Sequence, residues 1–169
     1  REFISSLQRL HPEITGIVLN VNQRRTNAIL GRETRVLAGT ATMHDKLLNC
    51  TFEIGPTSFY QTNPEQTEVL YRLALEGVFG VCKKNDDERT NNGGSGCRTN
   101  HDHTDSLSSS PLRILDAYCG TGTIGICAAK EAGSHGIPIE LIGVDQVENN
   151  IAMAKRNSRA NAVSARFVC

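Results

Sequence analysis

In LRILDAYCGTGTIGI, residues 112–126, a short apolar run meets an acid, then a glycine-rich loop, then a second apolar run. Leu112 to Leu115 lead into Asp116. The loop Tyr118-Cys119-Gly120-Thr121-Gly122-Thr123 follows, and apolar residues resume at Ile124. That order predicts strand, tight turn, helix. A glycine lacks Cβ, so the backbone can turn sharply and a ligand can lie against it. The stretch also spells G-x-G-x-x-G at Gly120, Gly122 and Gly125. Alone, this pattern is weak and equally describes a dinucleotide loop.

Charge separates the readings. A dinucleotide loop offers backbone N–H groups to a pyrophosphate at a helix N-terminus. An acid at the strand tip repels that anion, and Asp116 stands there. It suits a cationic ligand such as S-adenosylmethionine, which carries a sulfonium and an ammonium group. Further on, Glu140-Leu141-Ile142-Gly143-Val144-Asp145 reads as a second strand ending in an acid. A carboxylate at that place can accept both ribose hydroxyls. Asp116 and Asp145 together fit a nucleoside that carries positive charge. The plainer alternative is that Asp116 caps the turn that follows it.

The chain has 169 residues, 38% hydrophobic and 21% charged, which allows one domain and part of another. Its formal net charge is zero, so no global field steers it to nucleic acid. Locally, residues 1–35 carry six Arg against three Glu, and 151–169 carry Lys155, Arg156, Arg159 and Arg166 with no acid. Most such charges are solvated surface. None of the six cysteines forms a C-x-x-C pair. That spacing shows neither zinc ribbon nor redox motif, and reduced thiols in the cytoplasm are expected. No stretch has the length of a membrane span, and no signal peptide is visible. The chain starts with Arg1 and closes on a strand-like run, so it reads as a piece of a longer protein.

Along the chain, residues 1–11 predict a helix carrying Phe3, Ile4, Leu7 and Leu10, stopped at His11-Pro12. Strands are expected at 14–22, 35–40 and 47–54, making residues 1–54 a small antiparallel α+β subdomain. Asn63, Pro64 and Gln66 spell a helix start. The helix that follows is expected to turn Val69, Leu70, Leu73, Ala74 and Val78 inward, and 55–82 forms a connecting unit. Residues 83–110 hold one large apolar residue, Leu107, and predict a disordered linker or insertion. His101, Asp102, His103 and Asp105 lie in it, but nothing there fixes a ligand geometry, so no metal is expected. Residues 111–169 then alternate: strand 114–118, helix 124–132, strand 140–145, helix 148–160 with Ile151 and Ala154 inward, strand 165–168. A βαβαβ order implies a parallel sheet with right-handed crossovers, the first half of an α/β, Rossmann-like domain. Ligands bind beyond the carboxyl ends of such strands, where Asp116 and Asp145 lie.

Three stretches carry a resemblance: SFYQTNPEQTEVLY (58–71), LDAYCGTGTIG (115–125) and IGVDQVENNIAMAKRNSRAN (142–161). Together they resemble the S-adenosylmethionine-dependent RNA uracil-C5 methyltransferases, which modify uridines in ribosomal and transfer RNA. HPEITGIVLNVNQRRTNAILGRETRVLAGT, residues 11–40, is similar to the segment before their catalytic domain. The F-[FY]-Q-x-N element is specific to that family; the D-x-x-C-G-x-G loop is shared more widely. The resemblance implies that Gln61 touches the methyl donor, that Tyr118 packs on it and that Asp145 holds its ribose. Asp116, Gly120 and Gly122 complete the implied donor site. Thr123 stands where some members have Asn.

The resemblance also implies what lies elsewhere. The family's nucleophilic cysteine, its Asp-Pro-Pro-Arg stretch and its glutamate base follow the third strand, and its RNA-binding β-barrel precedes this segment. Cys119 reads as a small loop residue, Cys127 as a helix–sheet contact and Cys169 as a core residue on a strand. The expectation is half of a donor site with no covalent catalyst, in a monomeric, RNA-directed enzyme. The other readings are a nicotinamide-dinucleotide domain of an oxidoreductase and a non-catalytic RNA-binding module on a methyltransferase fold.

Overall fold

The computed structural model describes residues 2–23, 25, 27, 29–31, 33–79 and 111–169; the 83–110 tract and its histidines lie outside them. In chain order the elements are α1 (Glu2–Leu10), β1 (Gly16–Val21), β2 (Glu33–Gly39), β3 (Met43–Leu47), β4 (Cys50–Ile54) and α2 (Pro64–Phe79). Then come β5 (Leu112–Ala117), α3 (Thr123–Ser134), β6 (Ile139–Val144), α4 (Glu148–Ala160) and β7 (Ala165–Val168).

The last five elements are the expected βαβαβ unit. β5, β6 and β7 lie side by side in that order, and both pairings are parallel. The ladder continues past the strand ends. Cys119 N–H donates to the Val144 carbonyl at 2.9 Å, and Asp145 N–H donates to that of Val168 at 3.2 Å. These bonds stitch together the tips that carry the two acids. Gly143 is required in mid-sheet, since a Cβ there would meet the Phe167 ring at 2.5 Å.

Two antiparallel hairpins precede the sheet. β1 pairs with β2, with a register shift between Ile17 and Val18. β3 pairs with β4, Leu47 opposite Cys50. Here the expected single strand 47–54 is corrected: Leu48 and Asn49 take φ of 47° and 62° and turn the chain. Positive φ at both central residues is the tight hairpin turn whose twist matches the flanking strands. Leu at its first position hid the signal.

The hairpin is not peripheral. Leu47, Cys50, Phe52 and Ile54 are buried in one cluster with Tyr71, Ile126, Ile151 and Phe167. By contrast, no described residue before Leu47 is buried. In α2 the start is as expected, with Gln66 N–H donating to Asn63 Oδ1 at 3.1 Å. The inward face is not. Thr67, Tyr71, Leu75 and Phe79 are the buried residues, while Val69, Leu70, Leu73 and Val78 are exposed. An i, i+4 row of Tyr, Leu and Phe presents more bulk than the row of smaller aliphatics, and it is the row the core takes.

Candidate methyl-donor site

The loop 118–122 is a run of unusual backbone. Tyr118, Gly120 and Gly122 have φ of 61°, 55° and 83°. Left-handed backbone suits glycine, but for a bulky aromatic it is strained and signals a local demand. Its consequence here is exposure: Tyr118 leaves 86% of its surface open beside the strand tips. A Cβ on Gly120 would meet nothing within 4 Å, so this side of the loop faces open space. Gly122 is closed in, its Cβ position 3.0 Å from Ile126 and 3.3 Å from Ala154.

Both acids converge on this loop from below, each 8% exposed. Asp116 Oδ2 accepts from Gly125 N–H at 3.0 Å. Gly125 is the third residue of α3, whose N-cap Gly122 has no side chain to offer. Asp116 therefore supplies the cap that the helix lacks, which is the plainer role weighed for it. Burial raises the Asp116 pKa above the usual carboxylate value, the Gly125 bond works against that, and the charge of Asp145 adds to it. Asp145 Oδ2 accepts from Gly120 N–H at 2.9 Å, and its Oδ1 accepts from Val147 N–H at 2.8 Å and Asn150 Nδ2 at 3.3 Å. A carboxylate has about four lone-pair sites, so one is left, on Oδ2, for a ribose hydroxyl, and a second hydroxyl would have to displace Asn150, the longest of the three bonds.

The amides matter as much as the acids. Gly120 N–H points at Asp145, and Gly122 N–H is taken by the Cys119 carbonyl at 2.8 Å. Those two loop donors are consumed internally. A pyrophosphate would need such groups free and would face two carboxylates. The arrangement favours a cation over a dinucleotide's pyrophosphate.

The remaining sequence candidates are placed as follows. Thr123 is bound to Tyr71 through their hydroxyls, 3.0 Å apart, which ties α2 to the start of α3. Gln61 is exposed and lines a pocket of about 430 Å³ with Asp45, Ser58 and Tyr60. Ser58 Oγ donates to Asn150 Oδ1 at 3.3 Å, and Asn150 reaches Asp145. The SFYQTN element is thus two hydrogen bonds from Asp145. Larger than this is a groove of about 1030 Å³ lined by Phe79, Lys130, His135 and Ile139, at the amino ends of the strands. It is remote from the loop.

Cys119 is buried, its thiol pushed up to about 12 by burial, then by Asp116 and Asp145. It is a poor thiolate. Cys127 is buried at the contact between α3 and the β3–β4 hairpin, its thiol 3.7 Å from the Leu47 carbonyl. Cys169, expected in the core, is exposed just past β7. No group of three or more His, Cys, Asp or Glu among the described residues could hold a metal ion.

Sequence reasoning missed Tyr71, Asn150, Asn157 and Asn161. The two last lie at i, i+4, Asn157 in α4 and Asn161 at its C-cap, on the face already marked by Ala154. That spacing was a legible signal, passed over because asparagine is usually surface.

In sequence and fold the chain is similar to known methyltransferases. Residues 108–168 match a family model described as a methyltransferase domain. An uncharacterised RNA methyltransferase of Lactiplantibacillus plantarum is 36% identical over 163 residues, 96% of this chain and 28% of that protein. One from Oceanobacillus iheyensis is 34% identical over 161 residues, again 28% of its length. The chain thus spans little more than a quarter of these relatives. Among solved structures, the tRNA (uracil-54, C5)-methyltransferase of Pyrococcus abyssi, in complex with S-adenosyl-L-homocysteine, superposes with a TM-score of 0.58. It is 26% identical, over 91% of this chain and 29% of that one. A SAM-dependent methyltransferase from Agrobacterium tumefaciens matches in fold, with a TM-score of 0.50 at 20% identity, over 96% of this chain and 41% of that one.

Proposed function

We propose, on the premise that this chain is a relative of the S-adenosylmethionine-dependent RNA methyltransferases, that it forms the donor-binding half of an enzyme methylating C5 of uridine in RNA. The observation that carries the donor assignment is the convergence of Asp116 and Asp145 under a loop whose Gly120 and Gly122 amides are already taken, by Asp145 and the backbone. When bound, S-adenosylmethionine supplies an electrophilic methyl group. The residues that would hold it are Asp145 at the ribose, Tyr118 against its apolar surface, Gly120 and Gly122 in the loop wall, Thr123 at the start of α3, and Gln61 across from them. Asp116 acts from beneath, holding α3 and adding negative charge for a cationic centre.

Uridine as target rests on the F-[FY]-Q-x-N element at 59–63 and on the likeness to the Pyrococcus enzyme. C5 of uracil attacks a methyl sulfonium only after a thiolate adds at C6, and a base must then remove the C5 proton. Cys119 cannot provide that thiolate, since its proton is held and its side chain lies under the loop. In this reading the nucleophile and base belong to other parts of the enzyme, and the chain's work is to bind and orient the donor. RNA is the partner, the enzyme acts as a cytoplasmic monomer, and residues 1–54, 55–82, 83–110 and 111–169 are its successive units. No helix among the described residues is long and apolar enough to cross a membrane.

Calorimetric titration with S-adenosylmethionine, S-adenosylhomocysteine and NADH tests the donor assignment. The sulfonium ligand should bind, NADH should not, and Asp145→Ala should weaken binding about tenfold or more. NADH binding in preference would overturn the reading.

A further inference from the structure

Asn157 in α4 and Asn161 at its C-cap make an unusual contact with β4. Asn161 Oδ1 accepts from Thr51 N–H at 2.9 Å and its Nδ2 donates to the Thr51 carbonyl at 2.8 Å. Asn157 repeats this one step along: Oδ1 accepts from Glu53 N–H at 2.8 Å, and Nδ2 donates to the Glu53 carbonyl at 3.1 Å. A side-chain amide has the donor and acceptor of a peptide group, so the two act as a substitute strand on the edge of β4. The spacing explains why this works. Four helical residues advance about 6 Å and two strand residues about 6.6 Å, so i, i+4 on α4 meets i, i+2 on β4.

Each Nδ2 has a second hydrogen, and here the two residues differ. Asn161 spends it within α4, on the Asn157 carbonyl at 2.8 Å. Asn157, 1% exposed, donates to the Thr121 carbonyl in the donor loop at 3.0 Å. Tyr118, Gly120 and Gly122 around it are all left-handed, and such backbone persists only where surrounding contacts hold it.

We infer that Asn157 is a positioning residue: it anchors the Thr121 carbonyl to β4 and keeps the loop 118–122 in its donor-binding shape, while Asn161 fixes only the hairpin. The part about donor affinity rests on the donor site proposed above; the loop anchor does not. It predicts that the β3–β4 hairpin, remote in sequence, governs the stiffness of the loop.

The test compares Asn157→Ala with Asn161→Ala in the full chain. Melting temperature, amide hydrogen exchange across 119–123 and S-adenosylmethionine affinity are measured for each. Both variants should melt earlier, since each loses a bidentate pair. Only Asn157→Ala should speed exchange in the loop and weaken donor binding, by about tenfold, against about twofold or less for Asn161→Ala. Asn157→Asp keeps the acceptor for Glu53 N–H and sets a carboxylate against two carbonyls. Its donor affinity, taken relative to the parent at the same pH, should recover in part as pH falls, because a protonated carboxyl donates one hydrogen to one of those carbonyls. This variant carries the comparison if the alanine variant does not fold. Equal loop exchange in the two alanine variants, or unchanged donor affinity in Asn157→Ala, would overturn the inference. If the parent binds no donor but loop exchange still separates the variants, the donor-site reading falls and the anchor stands.

Discussion

Asp116 and Asp145 occupy neighbouring strand tips, yet one is a cap and the other a clamp. Asp116 gives an oxygen to the third amide of α3, and burial raises its pKa. A carboxyl whose folded pKa lies above its unfolded value binds its proton more tightly in the native state. Stability from it is therefore present at low pH and lost as pH rises through that folded pKa. At neutral pH the charged form is a liability that an amide would remove, since Asn can still accept from Gly125 N–H. We expect Asp116→Asn to raise the melting temperature at pH 7 by about 2–5 °C, and the gain to vanish towards pH 3. The same variant should bind S-adenosylmethionine more weakly, because it removes a negative charge from beneath the loop. Thermal scans across pH with donor titrations check this. A stability loss at pH 7 would show that the charge on Asp116 is needed for the cap itself. This opposition between stability and binding is what a functional acid leaves behind.

At the scale of elements, the βαβαβ half was legible because its signals agree: apolar runs of strand length, glycines at the turn, an acid at each tip. β7 and α4 fall at 165–168 and 148–160, as the residues predicted. Two elements were not legible, for physical reasons. The turn at Leu48-Asn49 has left-handed backbone at a leucine, whose half-buried packing against the core offsets its local cost, and no local rule sees tertiary packing. α2 has two apolar rows, and periodicity alone does not rank them. Tyr71 ranks them, since its ring enters the core and its hydroxyl meets Thr123. The strand–loop–helix order at 112–134 was thus readable and the supports of the loop were not. Tyr71, Asn150 and Asn157 act through groups distant in sequence. The two rows of α2 give a direct check. Leu75→Ala should destabilise by about 2–4 kcal/mol, while Leu73→Gln, at a position 61% exposed, should stay within about 0.5 kcal/mol. Urea titrations of both variants measure it, and comparable losses would mean that the exposed row is packed after all.

For the whole molecule, the described residues cover the sheet on one face only. Leu141, Gly143 and Phe167 are buried on the side of α3 and α4. On the other side Leu115 is 67% exposed and Val144 38%, with Ala117 also open and Ile142 and Val168 half-buried. Parallel sheets are found with both faces covered, because their strands are apolar on both sides. On this face the row of Ala117, Val144 and Val168 is apolar across β5, β6 and β7 and Leu115 and Ile142 extend it on two strands, while Arg113, Glu140 and Arg166 bound it; it ends at the tips that carry Asp116 and Asp145. The chain spans 28% of relatives such as that of Lactiplantibacillus plantarum, so those proteins have ample sequence to supply a second layer. Studied alone, this chain should bury the face against itself. We expect concentration-dependent self-association and strong binding of a fluorescent apolar dye, both reduced about twofold or more in Leu115→Lys. Leu115 makes no part of the buried clusters, so the variant should melt as the parent does. Sedimentation velocity and dye titration at matched concentrations decide the matter. If Leu115→Lys associates and binds dye as the parent does, the open face is not the adhesive one. The unburied amino-terminal elements α1, β1 and β2, which expose Phe3 and Leu10, would then be the surface to mutate next.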